Sequence, residues 1–163
     1  MKTIERRAAL TLACAGLLAA CGGPSPQADA SRQQAGAPRE ASVRVGDLVV
    51  RANAVQTAAL GEAVSRQYGV ERDAGTVMLL VGVRREGPDA QESSVPARVD
   101  ATAIDLLGRR QAPGIREVRS DGFIDYVASF RVAAPETLRF DVEVVADGQR
   151  MTLQFNRDFF PRR

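Results

Sequence analysis

From Ser42 onward the chain alternates apolar and polar residues in short runs that are broken by turn residues. Val43 and Val45 flank Arg44, Gly46-Asp47 interrupts, and Leu48 to Val55 resumes the pattern. A period of two puts apolar side chains on one face of a strand. The spacing therefore predicts strand on both sides of a bulge or tight turn at Gly46.

Leu60, Val64 and Tyr68 then fall four apart. This spacing predicts a helix over about 60–68 that turns these three side chains toward a sheet. Glu62 and Arg66 form an i,i+4 pair, and Gly69 stands where a C-terminal cap belongs. Two turns of helix do not hold without tertiary packing.

Thr76 to Val83 is almost continuously apolar and predicts a strand buried on both faces. Arg84 to Asp89 reads as a polar loop. Val95 to Leu107 reads as a strand with Val95, Ala97, Val99, Ala101 and Ala103 on one face and Pro96 near its start. Gly108 to Gly114 is a turn region, and Ile115 to Arg119 a short strand. Ser120-Asp121-Gly122 is a turn. Ile124, Tyr126, Ala128, Phe130 and Val132 then alternate with polar partners. Beyond Ala134-Pro135-Glu136, Leu138, Phe140, Val142 and Val144 do the same, and Asp147-Gly148 is a hairpin dipeptide leading to Met151, Leu153 and Phe155.

About seven strands at roughly ten-residue spacing, with one short helix, predict a mainly β fold. The expected architecture is an antiparallel immunoglobulin-like β-sandwich over residues 42–163, without the Cys and Trp marks of true immunoglobulin domains.

The upstream segment is different in kind. Lys2, Arg6 and Arg7 precede an apolar run from Ala8 to Ala20. Thirteen residues fall short of the roughly 20 that span a bilayer as a helix, so residues 1–20 read as an export signal. Leu18-Ala19-Ala20-Cys21 resembles the bacterial lipoprotein signal. The resemblance implies cleavage after Ala20 and diacylglyceryl attachment to the Cys21 sulfur. An ordinary secretory signal cut nearby is the alternative, and Cys14, the rival cysteine, is set aside because Thr11 stands where Leu belongs. Gly22 follows the cysteine in place of the Asp that retains such proteins at the inner membrane, which points to the outer membrane. Residues 21–41 are rich in Gly, Pro, Ser, Gln and Ala and predict a flexible tether.

Charge narrows the partners. The chain carries 22 Lys+Arg and 20 Asp+Glu. Removing Lys2, Arg6, Arg7 and Glu5 with the signal leaves the two balanced. A generic nucleic-acid or anionic-membrane partner calls for a basic excess, and there is none, so no nucleic-acid partner is expected. The chain has no His, which excludes Ser-His-Asp and Cys-His machinery and His-based zinc sites. Beyond the signal the single cysteine is Cys21, which excludes an intramolecular disulfide. No cofactor or metal is expected.

Some short stretches carry a family likeness. They are Asn53-Ala54, Tyr68-Gly69-Val70, Leu107-Gly108, Ile115-Arg116-Glu117, Tyr126 and Thr137-Leu138-Arg139-Phe140-Asp141-Val142. In order and spacing, over about Gly46 to Phe159, they resemble an uncharacterised family of small exported proteobacterial proteins defined as a domain of unknown function. The resemblance implies the fold and an exported address, and no activity. Val49, Arg51 and Val55 stand where that family commonly carries rings.

Candidate site residues fall in two groups. Asp141 and Glu143 lie two apart, hence on one strand face, and Asp125 on the preceding strand could join them. Such carboxylates serve acid–base chemistry or hold Ca²⁺, or they dot a solvated face beside Arg131 and Arg139. Asn53, Thr57 and Tyr68 could line a polar cleft where helix meets sheet, or merely cap and staple loops. Arg84-Arg85 and Arg109-Arg110 read as loop pairs on solvated turns, either of which could instead meet an acidic partner or a phospholipid headgroup. Phe159-Phe160 either closes the core or stands exposed for a partner. Together these features predict a lipid-anchored envelope protein with a binding or adaptor role toward another envelope protein, by strand addition at an open edge. A carboxylate-based enzyme and a small-ligand carrier are the alternatives. The carrier requires an apolar pocket between the sheets.

Overall fold

A computed structural model of the chain describes residues 40–89 and 91–161. The expected signal, the cleavage point Ala20, Cys21 and the tether up to residue 39 lie outside the described residues.

Among the described residues ten strands form two antiparallel sheets. The first sheet holds β1 (Ala41–Val45), β2 (Leu48–Gln56), β3 (Thr76–Glu86), β8 (Phe123–Arg131) and β7 (Arg116–Ser120), side by side in that order. β4 (Glu92–Ser94) pairs with the end of β3. The second sheet runs β10 (Gln149–Phe159), β9 (Glu136–Ala146), β5 (Arg98–Ile104) and β6 (Arg110–Gln111). The strands beyond those legible in the sequence are chiefly β4 and β6, of three and two residues, too short for alternation to register.

Turn chemistry fixes the hairpins. Asp121 and Gly122 both take positive φ (50° and 81°), as do Asp147 and Gly148 (48° and 73°). Two such residues in succession match the right-handed twist of the flanking strands. They set Ser120 opposite Phe123 and Ala146 opposite Gln149. Gly46, at φ 61°, turns β1 back onto β2 as a hairpin rather than a bulge.

The inward faces meet in one core. Val50, Ala52, Val77, Leu79, Val81, Tyr126 and Phe130 of the first sheet pack against Val99, Ala103, Leu138, Phe140, Val142, Val144 and Leu153 of the second. The side chains that alternate along each strand fill the space between the sheets, so the apolar pocket a carrier needs is occupied by core residues.

The excursion between β2 and β3 covers part of the first sheet's outer face. Its ends are stapled. Thr57 Oγ1 donates to the Asp73 carbonyl (3.0 Å) and accepts from the Asp73 amide (2.9 Å). Gln56 Nε2 donates to the Ala74 carbonyl (3.0 Å). Within the excursion α1 spans Glu62–Tyr68, after a 3-10 turn at Thr57–Ala59. Glu62 pairs with Arg66, and Gly69 ends the helix in the left-handed region at φ 58°, both as predicted. The predicted apolar face is corrected. Val64 is exposed, and the buried helical residue is Ser65, whose hydroxyl donates to the Val70 carbonyl. Polar anchors at the C-terminal end, rather than an apolar stripe, hold this helix down. Arg84-Arg85 also departs from expectation: both lie on β3, which continues to Glu86 because β2 pairs with it through Arg85. No described helix is long and apolar enough to cross a membrane.

Candidate functional site

On the outer face of the first sheet, Gly82 of β3 sits between Arg51 of β2 and Asp125 of β8. The Arg84 guanidinium folds back over it. A Cβ at position 82 would stand 3.2 Å from Arg84 Nη2, so the glycine makes room for that close approach. Arg84 Nη2 donates to Asp125 Oδ1 (2.5 Å) and Nη1 to the Ile124 carbonyl (2.8 Å). The guanidinium also lies 5.0 Å from the Phe123 ring centre, within cation–π range. The other Asp125 oxygen accepts from the Tyr68 hydroxyl (2.9 Å), and Arg116 donates to the Tyr68 carbonyl. This network pins the end of α1 to the sheet. Asn53 lines the adjoining cavity of about 220 Å³ together with Arg51, Arg84, Glu92 and Asp125. Its Oδ1 accepts from Arg157 Nη2 (3.2 Å), while Arg51 pairs with Glu92 (2.7 Å) and Glu86 (3.1 Å).

Burial, reinforced by the hydrogen bond and the negative charge of Asp125, pushes the Tyr68 phenol up to about 12. A proton held more tightly in the folded state stabilises it below the unfolded pKa. That share is lost as pH rises through the folded value. Stability is therefore expected to fall between about pH 10 and 12. A ¹³Cζ titration should place Tyr68 well above free tyrosine. In Asp125→Asn it should drop only part of the way, because burial is the larger cause.

The second group lies elsewhere. Asp141 and Glu143 point outward from β9, on the far side of the sandwich from Asp125. The three predicted carboxylates therefore do not converge, because the chain crosses from one sheet to the other between β8 and β9. The cross-strand rows are Asp100–Glu143–Thr152 and Thr102–Asp141–Gln154. With Ala112 and Pro113 as a wall, these residues line an open groove of about 680 Å³. Arg139 pairs with Asp141 (3.4 Å) along its own strand, and Arg150 pairs with Glu143 across the hairpin. Gln154 Nε2 donates to Asp141 Oδ1 (2.6 Å). Arg131, considered as a partner for these acids, belongs to the other sheet and faces Asp73. The groove also follows an open strand edge. β6 covers β5 only at Ala103 and Ile104, so among the described residues Arg98–Thr102 is paired on its β9 side alone.

Of the predicted site residues, Asn53, Tyr68 and Asp125 come together on the first sheet, and Asp141 and Glu143 on the second. Thr57 is wholly buried and acts as a loop staple. Thr152 and Gln154 were missed although the two-residue turn at Asp147-Gly148 already sets them opposite Glu143 and Asp141. Asp100 and Thr102 depend on the long-range pairing of β5 with β9, which no local signal announces. Among the described residues no three His, Cys, Asp or Glu side chains gather as metal ligands.

The family model described as a domain of unknown function, DUF4426, matches residues 42–162. The chain belongs to the DUF4426 family. The structure is similar to that of a DUF4426 family protein from Pseudomonas aeruginosa PAO1, with TM-score 0.64 and 30% identity over 76% of this chain and 97% of that one. Among solved structures it is also similar to FetP of uropathogenic Escherichia coli strain F11. The copper-bound variant of FetP gives TM-score 0.52 at 10% identity, covering 72% of this chain and 93% of FetP. The protein as isolated after expression in the periplasm gives 0.52 at 9%, covering 74% and 95%. At that identity the likeness to FetP is one of fold. No curated protein matches the chain significantly.

Proposed function

We propose that this DUF4426 protein is a non-catalytic binding module of the bacterial cell envelope, held to a membrane by lipid on Cys21. In this reading it receives an extended segment of another envelope protein in the groove of the second sheet. The observation that carries the reading is the coincidence of that groove with the open β5 edge. An incoming strand would gain main-chain hydrogen bonds along Arg98–Thr102. Thr102, Thr152, Gln154 and the carboxylates would then read its side chains. The address rests on the Leu18–Cys21 pattern, and the exported likeness of the family is in keeping with it.

A photo-crosslinking residue at Gln154, expressed in the native host, is expected to capture one envelope protein reproducibly. The same residue at Ser129, exposed on the outer face of the other sheet, is the control. Capture from Ser129 alone, or from neither position, would overturn the reading.

A further inference from the structure

The end of the sandwich where β5, β8 and β10 finish carries three large apolar side chains in the open. Leu106 and Leu107 are each 80% exposed, and Phe160 is 65% exposed. The expectation for Phe159-Phe160 thus divides: Phe159 closes the core and Phe160 stands outside it.

The two leucines sit on a turn that is held firmly. Asp105 Oδ1 accepts from the amides of Leu107 (2.9 Å) and Arg109 (2.8 Å). The Asp105 amide donates to the Arg109 carbonyl (3.1 Å), and the Gly108 amide to the Asp105 carbonyl (3.0 Å). Gly108 supplies the positive φ of 80° that closes the turn. Burial works against the Asp105 charge, but hydrogen bonds from Arg109 and Leu107 outweigh it and hold the carboxyl below its usual range. A turn fixed in this way presents both leucines with little further ordering needed on binding.

The charge around the turn is unequal. The Asp105 carboxylate is turned in, while the head of Arg109, which pairs with it, is largely exposed. Arg110 is exposed and makes no ion pair with a described residue. Two apolar side chains flanked by outward guanidinium groups match the boundary between acyl chains and anionic headgroups.

Strand ends of both sheets meet at this end. Thr76 pairs with Arg131, and Gln111 bonds to the Arg131 backbone in both directions. Glu136 pairs with Phe159, and Arg139 with Ile104. β1 runs antiparallel to β2 with Ala41 opposite Ala52, which itself stands opposite Val81 midway along β3, so the described chain begins beside the middle of the first sheet and β1 runs away from this end. About twenty residues separate Cys21 from Ala41.

We propose that the pole formed by Leu106, Leu107 and Phe160, with Arg109 and Arg110 beside them, docks on a membrane surface bearing anionic phospholipid. The proposal builds on the lipid-anchor reading. The groove of the second sheet is then held at a fixed attitude to the membrane.

The test uses the full mature chain with Cys21→Ser, so that docking is read without any lipid on the protein. Flotation with vesicles of phosphatidylglycerol and phosphatidylcholine is expected to carry this chain upward, and phosphatidylcholine alone much less. Adding Leu106→Ser and Leu107→Ser, at positions too exposed to disturb folding, is expected to lower the partition coefficient at least tenfold. Failure of the Cys21→Ser chain to float, or equal flotation of the serine variant, would overturn docking and leave the anchor reading standing. Concentration-dependent dimerisation in place of flotation, lost in the serine variant, would assign the pole to a second copy of the chain and would also overturn it.

Discussion

Phe140→Ala is expected to remove about 4 kcal/mol of folding stability. Phe140 is fully buried and joins the two sheets. Its ring meets Phe130 of the first sheet edge-on at 5.4 Å, stacks on Phe155 at 5.2 Å and meets Phe159 edge-on at 6.5 Å. Truncation loses the transfer of a phenyl ring and opens a cavity that rings from both sheets border. Rigid strands on either side do not collapse into such a space. Domains of this size have roughly 5–15 kcal/mol in total, so the thermal midpoint should fall by roughly 15 °C. Phe140→Leu keeps most of the volume and should cost about 1 kcal/mol. Urea or thermal unfolding of the two variants checks both figures. A loss below about 1 kcal/mol for the alanine variant would mean that the aromatic cluster is not what joins the sheets.

Asp125→Ala comes next, with an expected loss of roughly 3 kcal/mol. The side chains of Arg84 and Asp125 are 13% and 14% exposed, so little water can replace either partner. Removing the carboxylate leaves a guanidinium held by the Ile124 and Val83 carbonyls and the Phe123 ring, with no counter-charge, and a Tyr68 hydroxyl without its acceptor. The uncompensated cation accounts for most of the loss, so the double variant Arg84→Met/Asp125→Ala should recover a good part of it. A double-mutant cycle that returned no coupling between the two positions would contradict this picture. The same cut frees the end of α1. Amide exchange in residues 62–70 should therefore speed up more than in the β9–β10 hairpin.

These two sites differ in how far the sequence announced them. The β9–β10 hairpin was legible almost residue by residue: alternation named its inward face, and Asp147-Gly148 fixed its register. The sheet-buried run of β3 and the glycine cap of α1 were equally plain, because each rests on neighbours in the chain. Asp125 was legible as a polar residue on a strand, but not as Arg84's partner or as lying across the sandwich from Asp141. Alternation reads the same whether the next strand continues in one sheet or crosses to the other, and the crossing at Val132–Pro135 carries no signal of its own. The helix misled for a related reason. Leu60, Val64 and Tyr68 have the spacing of a buried stripe, yet the hydrogen bond from Tyr68 to Asp125 and the contact from Arg116 settle how α1 sits, and both come from strands more than forty residues away. Leu106 and Leu107 continued an apolar strand in sequence. The Asp105 turn ended that strand at Ile104 and left them in the open.

The groove, the open β5 edge and the apolar pole all gain their meaning from the proposed membrane address. The most direct test is the intact mass of the mature protein isolated from membranes of its native host, beside a Cys21→Ser variant. The account predicts a chain starting at Cys21 with a lipid-sized increment that the variant lacks. A mass equal to that of a plainly cleaved chain, recovered in the soluble fraction, would contradict it.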